Sequence, residues 1–249
     1  VFDLLRTYDG EPYFLDAHID RLETSASRIG LTLPWSHDEI TAVVNQTLAQ
    51  NAIPEANIRI VVTGGSSLDF MTASGPPRLL VLISPVPRLP DHWYTKGIKI
   101  ISWQGERPLP GAKSIDYISA SLALKKAAVE GAVEALYIDR NGLALECTTS
   151  NLFAFMAGKL VTPEEGILSG VTRKVVLELA REMFTIDLRD ISRSELLQAE
   201  EIFITGTSKG LVPVIQIDDT RIADGRPGQR TRQLMAAMKQ HTLTKRSRP

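Results

Sequence analysis

The sequence predicts a mixed α/β protein built as two domains. Three observations lead there. Strand-like and helix-like runs alternate along the chain, one proline-dense segment (PVPRLP, 85–90) interrupts the alternation, and 249 residues suffice for two cores. Proline neither donates to a sheet ladder nor continues a helix, so 85–95 reads as a linker between a small domain, 1–84, and a larger one, 96–249.

Residues 1–8 (VFDLLRTY) read as a strand that turns at Asp9-Gly10 into a partner at 11–15. Asp16 is placed to cap a helix with Ile19, Leu22, Ala26 and Ile29 on one face and Gly30 as its stop. Ser36-x-x-Glu39 is a capping box that opens a second helix running to about Gln50. Strands at 58–63 and 78–83 complete the small domain. Beyond the linker, a strand at 98–103 leads through a Pro/Gly loop, 105–112, into a helix over 114–130. Asn141-Gly142 turns a hairpin between 134–139 and 143–146, and Gly158 turns another between 151–156 and 159–161. A helix follows Gly170, and Ser192-x-x-Glu195 predicts a second capping box. Strands at 201–205 and 212–217 flank a loop at 206–210, and a helix from about 228 ends the fold. Lys239, Lys245, Arg246 and Arg248 read as a solvated tail.

Charge and composition exclude several functions. Lys and Arg number 28 against 29 Asp and Glu, so no net charge draws the chain to nucleic acid or an anionic membrane. Apolar runs such as 79–83 are too short to span a bilayer. The lone cysteine, Cys147, rules out an internal disulfide framework and fits a reducing compartment, hence the cytoplasm. His18, His37, His92 and His241 are too scattered for a zinc site, so no metal is expected. The chain starts at Val1 with no signal-like segment. It also lacks the G-x-x-x-x-G-K-[ST], G-x-G-x-x-G and G-x-S-x-G patterns of nucleotide sites and serine hydrolases.

Chemistry gathers elsewhere. Lys113 lies where the Pro/Gly loop meets the predicted helix, with Tyr117 one turn on, and a desolvated lysine is a carbonyl-trapping nucleophile. Gly170-Val171-Thr172-Arg173 at a helix start and Thr205-Gly206-Thr207-Ser208 after a strand both suit an anion such as phosphate. Glu146 precedes a donor-rich stretch, Cys147 to Asn151.

With these residues in order, the run from KSIDY (113–117) through LECTTSNLF (145–153) to GVTRK (170–174) resembles the class IV, fold-type IV pyridoxal-phosphate enzymes. HIDRL (18–22), EIFITGTSKGLVPV (201–214) and DGRPGQRTRQL (224–234) extend the likeness over nearly the whole chain. The resemblance implies the two-domain fold of the D-amino-acid aminotransferases, pyridoxal 5'-phosphate as cofactor, a homodimer, and about two dozen further residues before Val1. It implies that Lys113 bonds the cofactor and serves as its base, that Glu146 faces the pyridine nitrogen, and that Tyr117 bonds the ring hydroxyl. Phosphate then lies against Arg21, Val171, Thr172, Gly206 and Thr207, Leu160 packs on the ring, and Thr149 and Asn151 brace the Glu146 loop. Phe2, Leu4 and Ser208 fall in the substrate pocket.

The sequence departs from both familiar substrate types. Thr63-Gly64-Gly65-Ser66 stands where the D-specific members carry an arginine and a histidine. Asn57 replaces the tyrosine of the branched-chain type near Arg59, and Lys209-Gly210 replaces a small residue and Glu. Strand alternation puts Arg6 on the face of Phe2 and Leu4, which makes it the candidate for a substrate carboxylate; a salt bridge to Asp3 or Asp9 is its structural alternative. The resulting expectation is a transaminase acting on an amino acid or amine and a 2-oxo acid. A pyruvate-eliminating aminodeoxychorismate lyase and a non-catalytic binding protein on the same scaffold are its rivals.

Overall fold

A computed structural model describes residues 1–246. The chain forms two compact units: Val1–Pro87 with Gly111–Ile115, and Arg88–Pro110 with Asp116 onwards.

In the first unit, β1 (Phe2–Tyr8) pairs antiparallel with β2 (Glu11–Pro12) on one side and β3 (Ala56–Thr63) on the other. β4 (Arg78–Pro85) pairs with β3, giving the order β2-β1-β3-β4. Leu5, Ile58, Ile60 and Val62 share one face of this sheet. Against it pack Ile19, Leu22 and Ala26 of α1 (Leu15–Arg28) and Ile40 and Val44 of α2 (His37–Asn51). The first capping box forms as expected, with Ser36 and Glu39 exchanging bonds. Asp16 is not the α1 cap: Phe14, in the left-handed conformation, turns the chain early, which cuts β2 to two residues and leaves Asp16 in the first turn to face the helix dipole. Ile29 is the C-cap and lies exposed rather than on the buried face.

Residues 111–115 pack with this unit although the sequence places them in the larger domain. The Phe2 N–H donates to the Lys113 carbonyl and the Lys113 N–H donates to the Ser25 hydroxyl. With both backbone groups of Lys113 committed, the segment cannot be helical. The helix predicted from 114 starts at Ile118, and the one-turn relation of Lys113 to Tyr117 does not hold.

The second unit opens with α3 (His92–Thr95), β5 (Ile98–Gln104), α4 (Ile118–Val129), β6 (Glu134–Ile138) and β7 (Leu143–Cys147). It continues through β8 (Asn151–Met156), β9 (Lys159–Thr162), α5 (Val171–Ala180), β10 (Ile186–Leu188), β11 (Ile191–Ser192) and α6 (Arg193–Leu196). β12 (Glu201–Gly206), β13 (Gly210–Ile217), β14 (Thr220–Arg221) and α7 (Gln229–Arg246) end it. The pairings β8-β12-β13-β5-β6-β7 close back on β8 through Glu146↔Asn151, so six strands form a ring. Ile100, Leu136, Ala144, Leu152, Ile204 and Val212, one from each strand, belong to a single buried cluster. On another face, α5 and α7 cover Phe153, Phe155 and Phe203.

The short α3, β10, β11 and β14 carry too little periodicity to be seen in sequence. The 206–210 loop shrinks to three residues because Gly210, at φ +64°, already pairs with Gly206. The second capping box is half made: Ser192 accepts from the Glu195 N–H, but the Glu195 carboxylate is held by Arg189. The C-terminal helix runs to Arg246, so Lys239 is helical rather than in a tail. Arg248 lies outside the described residues, as do the side chains of Lys245 and Arg246.

Phe203 is fully buried and stacked 4.8 Å from Phe153. Phe203→Ala is expected to cost about 3–5 kcal/mol of unfolding free energy, read from urea denaturation. A loss below about 1 kcal/mol would mean that the face relaxes around the gap.

Candidate active site

The residues singled out by sequence fall into two sets, one in each unit. In the first unit the organising group is Asp3, which sequence reasoning passed over except as a partner for Arg6. Its carboxylate is completely buried. Arg21 grips it with Nε and Nη2, both at 2.8 Å, and His18 Nδ1 lies 2.7 Å from Oδ1. Burial alone would raise the Asp3 pKa, but the hydrogen bonds and charge of Arg21, then His18, hold it below the usual carboxylate range. Burial, with the charges of Arg21 and Lys113, outweighs the raising effect of Asp3 and holds the His18 pKa below its ordinary value. The opposed spacing of Asp3 on a strand and His18 and Arg21 on one helix face produces this cluster, and only the i, i+3 half of it is visible in sequence.

The same unit holds Lys113 by its backbone and sets its ammonium 4.7 Å from the centre of the Phe2 ring. Arg59 stacks on Phe2 at 4.3 Å, and Leu4 lies opposite Arg59 in the strand register. Arg6 does share this face, but its guanidinium pairs with Glu55 at 3.2 Å and stacks over Tyr8. Neither Asp3 nor Asp9 is its partner.

In the second unit the organising group is Glu146, buried at the point where the strand ring closes. Asn151 Nδ2 donates to Oε2 at 3.1 Å, the Leu168 N–H donates to Oε1 at 3.1 Å, and Arg107 Nε sits 3.1 Å from Oε1. Burial alone would lower the Arg107 pKa, but Glu146, Tyr117 and Tyr137 together outweigh it and hold the group above its ordinary value. Arg107 also lies over the Tyr117 ring at 5.3 Å and donates to the Thr148 carbonyl. It was missed because a lone cation in a Pro/Gly loop announces no partner.

Thr149 donates its hydroxyl to Glu134 and Asn151 donates its amide to Glu146. One expectation shifts. Leu160 has no exposed surface and packs among Phe153, Phe155 and Phe203, so it is core and has no face to offer a ring. Leu168, whose backbone clasps Asn151 and Glu146 together, is the leucine beside the carboxylate.

The anion-binding loops are present. α5, ten residues long, starts at Gly170 with no side-chain cap, presenting the first turn at Val171 and Thr172. A Cβ at Gly170 would fall 2.0 Å from Asn151 Oδ1, so only glycine lets this helix start approach the Glu146 brace. In the strand register Thr205 stands opposite Asn151, and its buried hydroxyl has no hydrogen-bond partner. Gly206, Thr207 and Ser208 follow it into the turn.

The chain is similar to known proteins over most of its length. The family model for amino-transferase class IV matches residues 1–217. The branched-chain-amino-acid aminotransferase of Pseudomonas aeruginosa is 34% identical over 251 residues, covering 95% of this chain and 82% of that one. The D-alanine aminotransferase of Listeria monocytogenes is 30% identical over 242 residues, covering 94% and 83%. Among solved structures, the T.th. branched-chain amino acid aminotransferase with pyridoxamine 5'-phosphate matches with a TM-score of 0.88 at 25% identity, over 96% of this chain and 84% of that one.

Because the Asp3 pKa is lowered in the folded state, its contribution is fully present above the ordinary carboxylate value near 4 and is lost as pH falls towards the lowered one. Asp3→Asn is expected to cost about 3–5 kcal/mol at pH 7 by removing the buried carboxylate that the Arg21 guanidinium grips. The gap from wild type should narrow as pH drops from about 4 to 2. Urea midpoints across that range check it, and a gap independent of pH would contradict the pairing.

Proposed function

The chain belongs to the amino-transferase class IV family, and we propose how its residues carry out the family's amino transfer between an amino acid and a 2-oxo acid. The cofactor is pyridoxal 5'-phosphate, which supplies an aldehyde to accept the amino group and a pyridinium ring to draw electrons from the donor. The observation that carries the reading is Glu146: a buried carboxylate fixed by three separate donors suits a protonated ring nitrogen far better than it suits an apolar core. The uncapped α5 start and the orphaned Thr205 hydroxyl fit a phosphate in the same unit.

In this reading Lys113 Nζ would hold the cofactor and would take the α-proton of the donor, and its two backbone anchors fix where the side chain starts. Glu146 keeps the ring nitrogen protonated, with Asn151, Leu168 and Arg107 holding its oxygens in place. Tyr117 tunes the ring hydroxyl. Arg21 binds phosphate, and Asp3 and His18 fix the plane of its guanidinium so that less freedom is lost on binding. Val171, Thr172, Gly206 and Thr207 add donors, and Leu168 takes the ring-packing role expected of Leu160.

The substrate side is Phe2, Leu4, Arg6 and Ser208. Arg6 acts with its charge partly neutralised by Glu55, and Arg59, on the same sheet face, is a second cation for a carboxylate. A homodimer is supported by α4, which buries Ala120, Ala123 and Ala127 yet exposes Ile118, Leu122 and Val129, the reverse of a solvated helix. A cytoplasmic location is supported by the reduced, buried Cys147 thiol.

Lys113→Ala should abolish turnover and leave no borohydride-trappable link to cofactor; a trapped link with wild-type turnover would remove Lys113 from its role. Arg6→Ala should raise KM selectively for a carboxylate-bearing donor over a matched amine. Equal effects, or none, would assign Arg6 to its ion pair with Glu55. Leu122→Asp is expected to give monomers by sedimentation, and an unchanged mass would place the dimer contact elsewhere.

A further inference from the structure

Glu134, at the start of β6, is buried to 1% exposure. Its carboxylate is saturated with donors. The Lys209 ammonium and the Thr148 hydroxyl bond it closely, the Thr149 hydroxyl and N–H follow at 2.5 and 3.2 Å, and Ser150 Oγ lies at 3.0 Å. Lys209 reaches it from the β12–β13 turn and also donates to Thr149 Oγ1 at 2.8 Å and Ser150 Oγ at 3.0 Å. That turn is tight: the Lys209 N–H donates to Gly206 O, the Tyr94 hydroxyl donates to Lys209 O, and a Cβ on Gly206 would stand 3.2 Å from Thr149 O.

One ion pair therefore joins two loops, 147–150 and 206–210. The first runs directly into Asn151, the brace of Glu146. The second carries Gly206, Thr207 and Ser208. The row continues, since Arg107 donates to the Thr148 carbonyl and pairs with Glu146. Lys209, Glu134, Arg107 and Glu146 thus alternate in sign through one buried polar network. Uncapped buried carboxylates are costly, and Lys209 is the cation that compensates Glu134.

We infer that Lys209 is a positioning residue: seated on Glu134, its ammonium locks the 206–210 turn against loop 147–150 and so presets Thr207 for the phosphate of the cofactor. It touches no reacting atom and acts through the geometry of the turn. The inference rests on the assignment of Thr207 to phosphate, and the test separates the two. Rigid donors lose less conformational freedom on binding than mobile ones, so loosening the turn weakens phosphate affinity while the ring contacts persist.

Pyridoxamine 5'-phosphate and pyridoxamine, neither of which bonds covalently to Lys113, are titrated calorimetrically into the cofactor-free protein. For Lys209→Met the expected result is a Kd for pyridoxamine 5'-phosphate raised about tenfold or more with pyridoxamine affinity unchanged within twofold. Lys209→Arg, which keeps the charge, should return the phosphate ligand to within threefold of wild type. If Lys209→Met fails to fold, the double variant Lys209→Met/Glu134→Gln, which removes both charges, carries the same expectation. A Kd within twofold of wild type, or equal weakening of both ligands, would overturn the inference. Thr207→Ala is the control: if it leaves pyridoxamine 5'-phosphate binding unchanged, the phosphate assignment itself fails, whereas a loss there with none in Lys209→Met fails the latch alone.

Discussion

The second unit depends on how six strands close into a ring. The closing contact is the pair Glu146↔Asn151, and it puts a carboxylate where a barrel would ordinarily place an apolar side chain. A charge at that depth is tolerable only with donors on every side, and the chain supplies them from three directions: Asn151 across the closure, Leu168 from the loop before α5, and Arg107 from the loop after β5. Satisfying one buried charge thereby fixes the relative positions of three loops. The glycine at the α5 start belongs to the same constraint, because its missing Cβ leaves the space that Asn151 Oδ1 fills.

The first unit repeats the logic on a smaller scale. Asp3 is buried, so Arg21 and His18 must meet it, and in meeting it they stop swinging. Lys113 is held to β1 and α1 through both of its backbone groups.

Much of this was legible in the sequence because the chain announces it locally. Asn141-Gly142 and Gly158 mark hairpins, Ser36-x-x-Glu39 marks a helix start, and motif order marks the family. What stayed hidden are contacts between residues far apart in the chain. Arg107 is an ordinary loop cation until it meets Glu146, 39 positions on by the numbering, and Glu134 is a strand residue until Lys209 arrives from the β12–β13 turn. Leu160 and Leu168 are both loop-flanking leucines in sequence, and the fold, by burying one among phenylalanines and setting the other's N–H on Glu146, distinguishes them. The helix expected from 114 starts only at Ile118 for a similar reason, since the backbone bonds of Lys113 with Phe2 and Ser25 override a sequence that is locally helix-compatible.

The proposed role of Glu146 is tested most directly by the half-reaction of Glu146→Gln. Cofactor-loaded wild type and variant are mixed with an excess of amino donor, and conversion of the cofactor to its amine form is followed by absorbance. The amide preserves shape and can still bond to Asn151, but it supplies no negative charge to keep the ring nitrogen protonated. The variant should bind cofactor and convert it about 10- to 100-fold more slowly, the equivalent of roughly 1.5–3 kcal/mol for a charge-assisted contact. A conversion rate equal to wild type would show that the buried carboxylate at the ring closure serves the fold and not the chemistry.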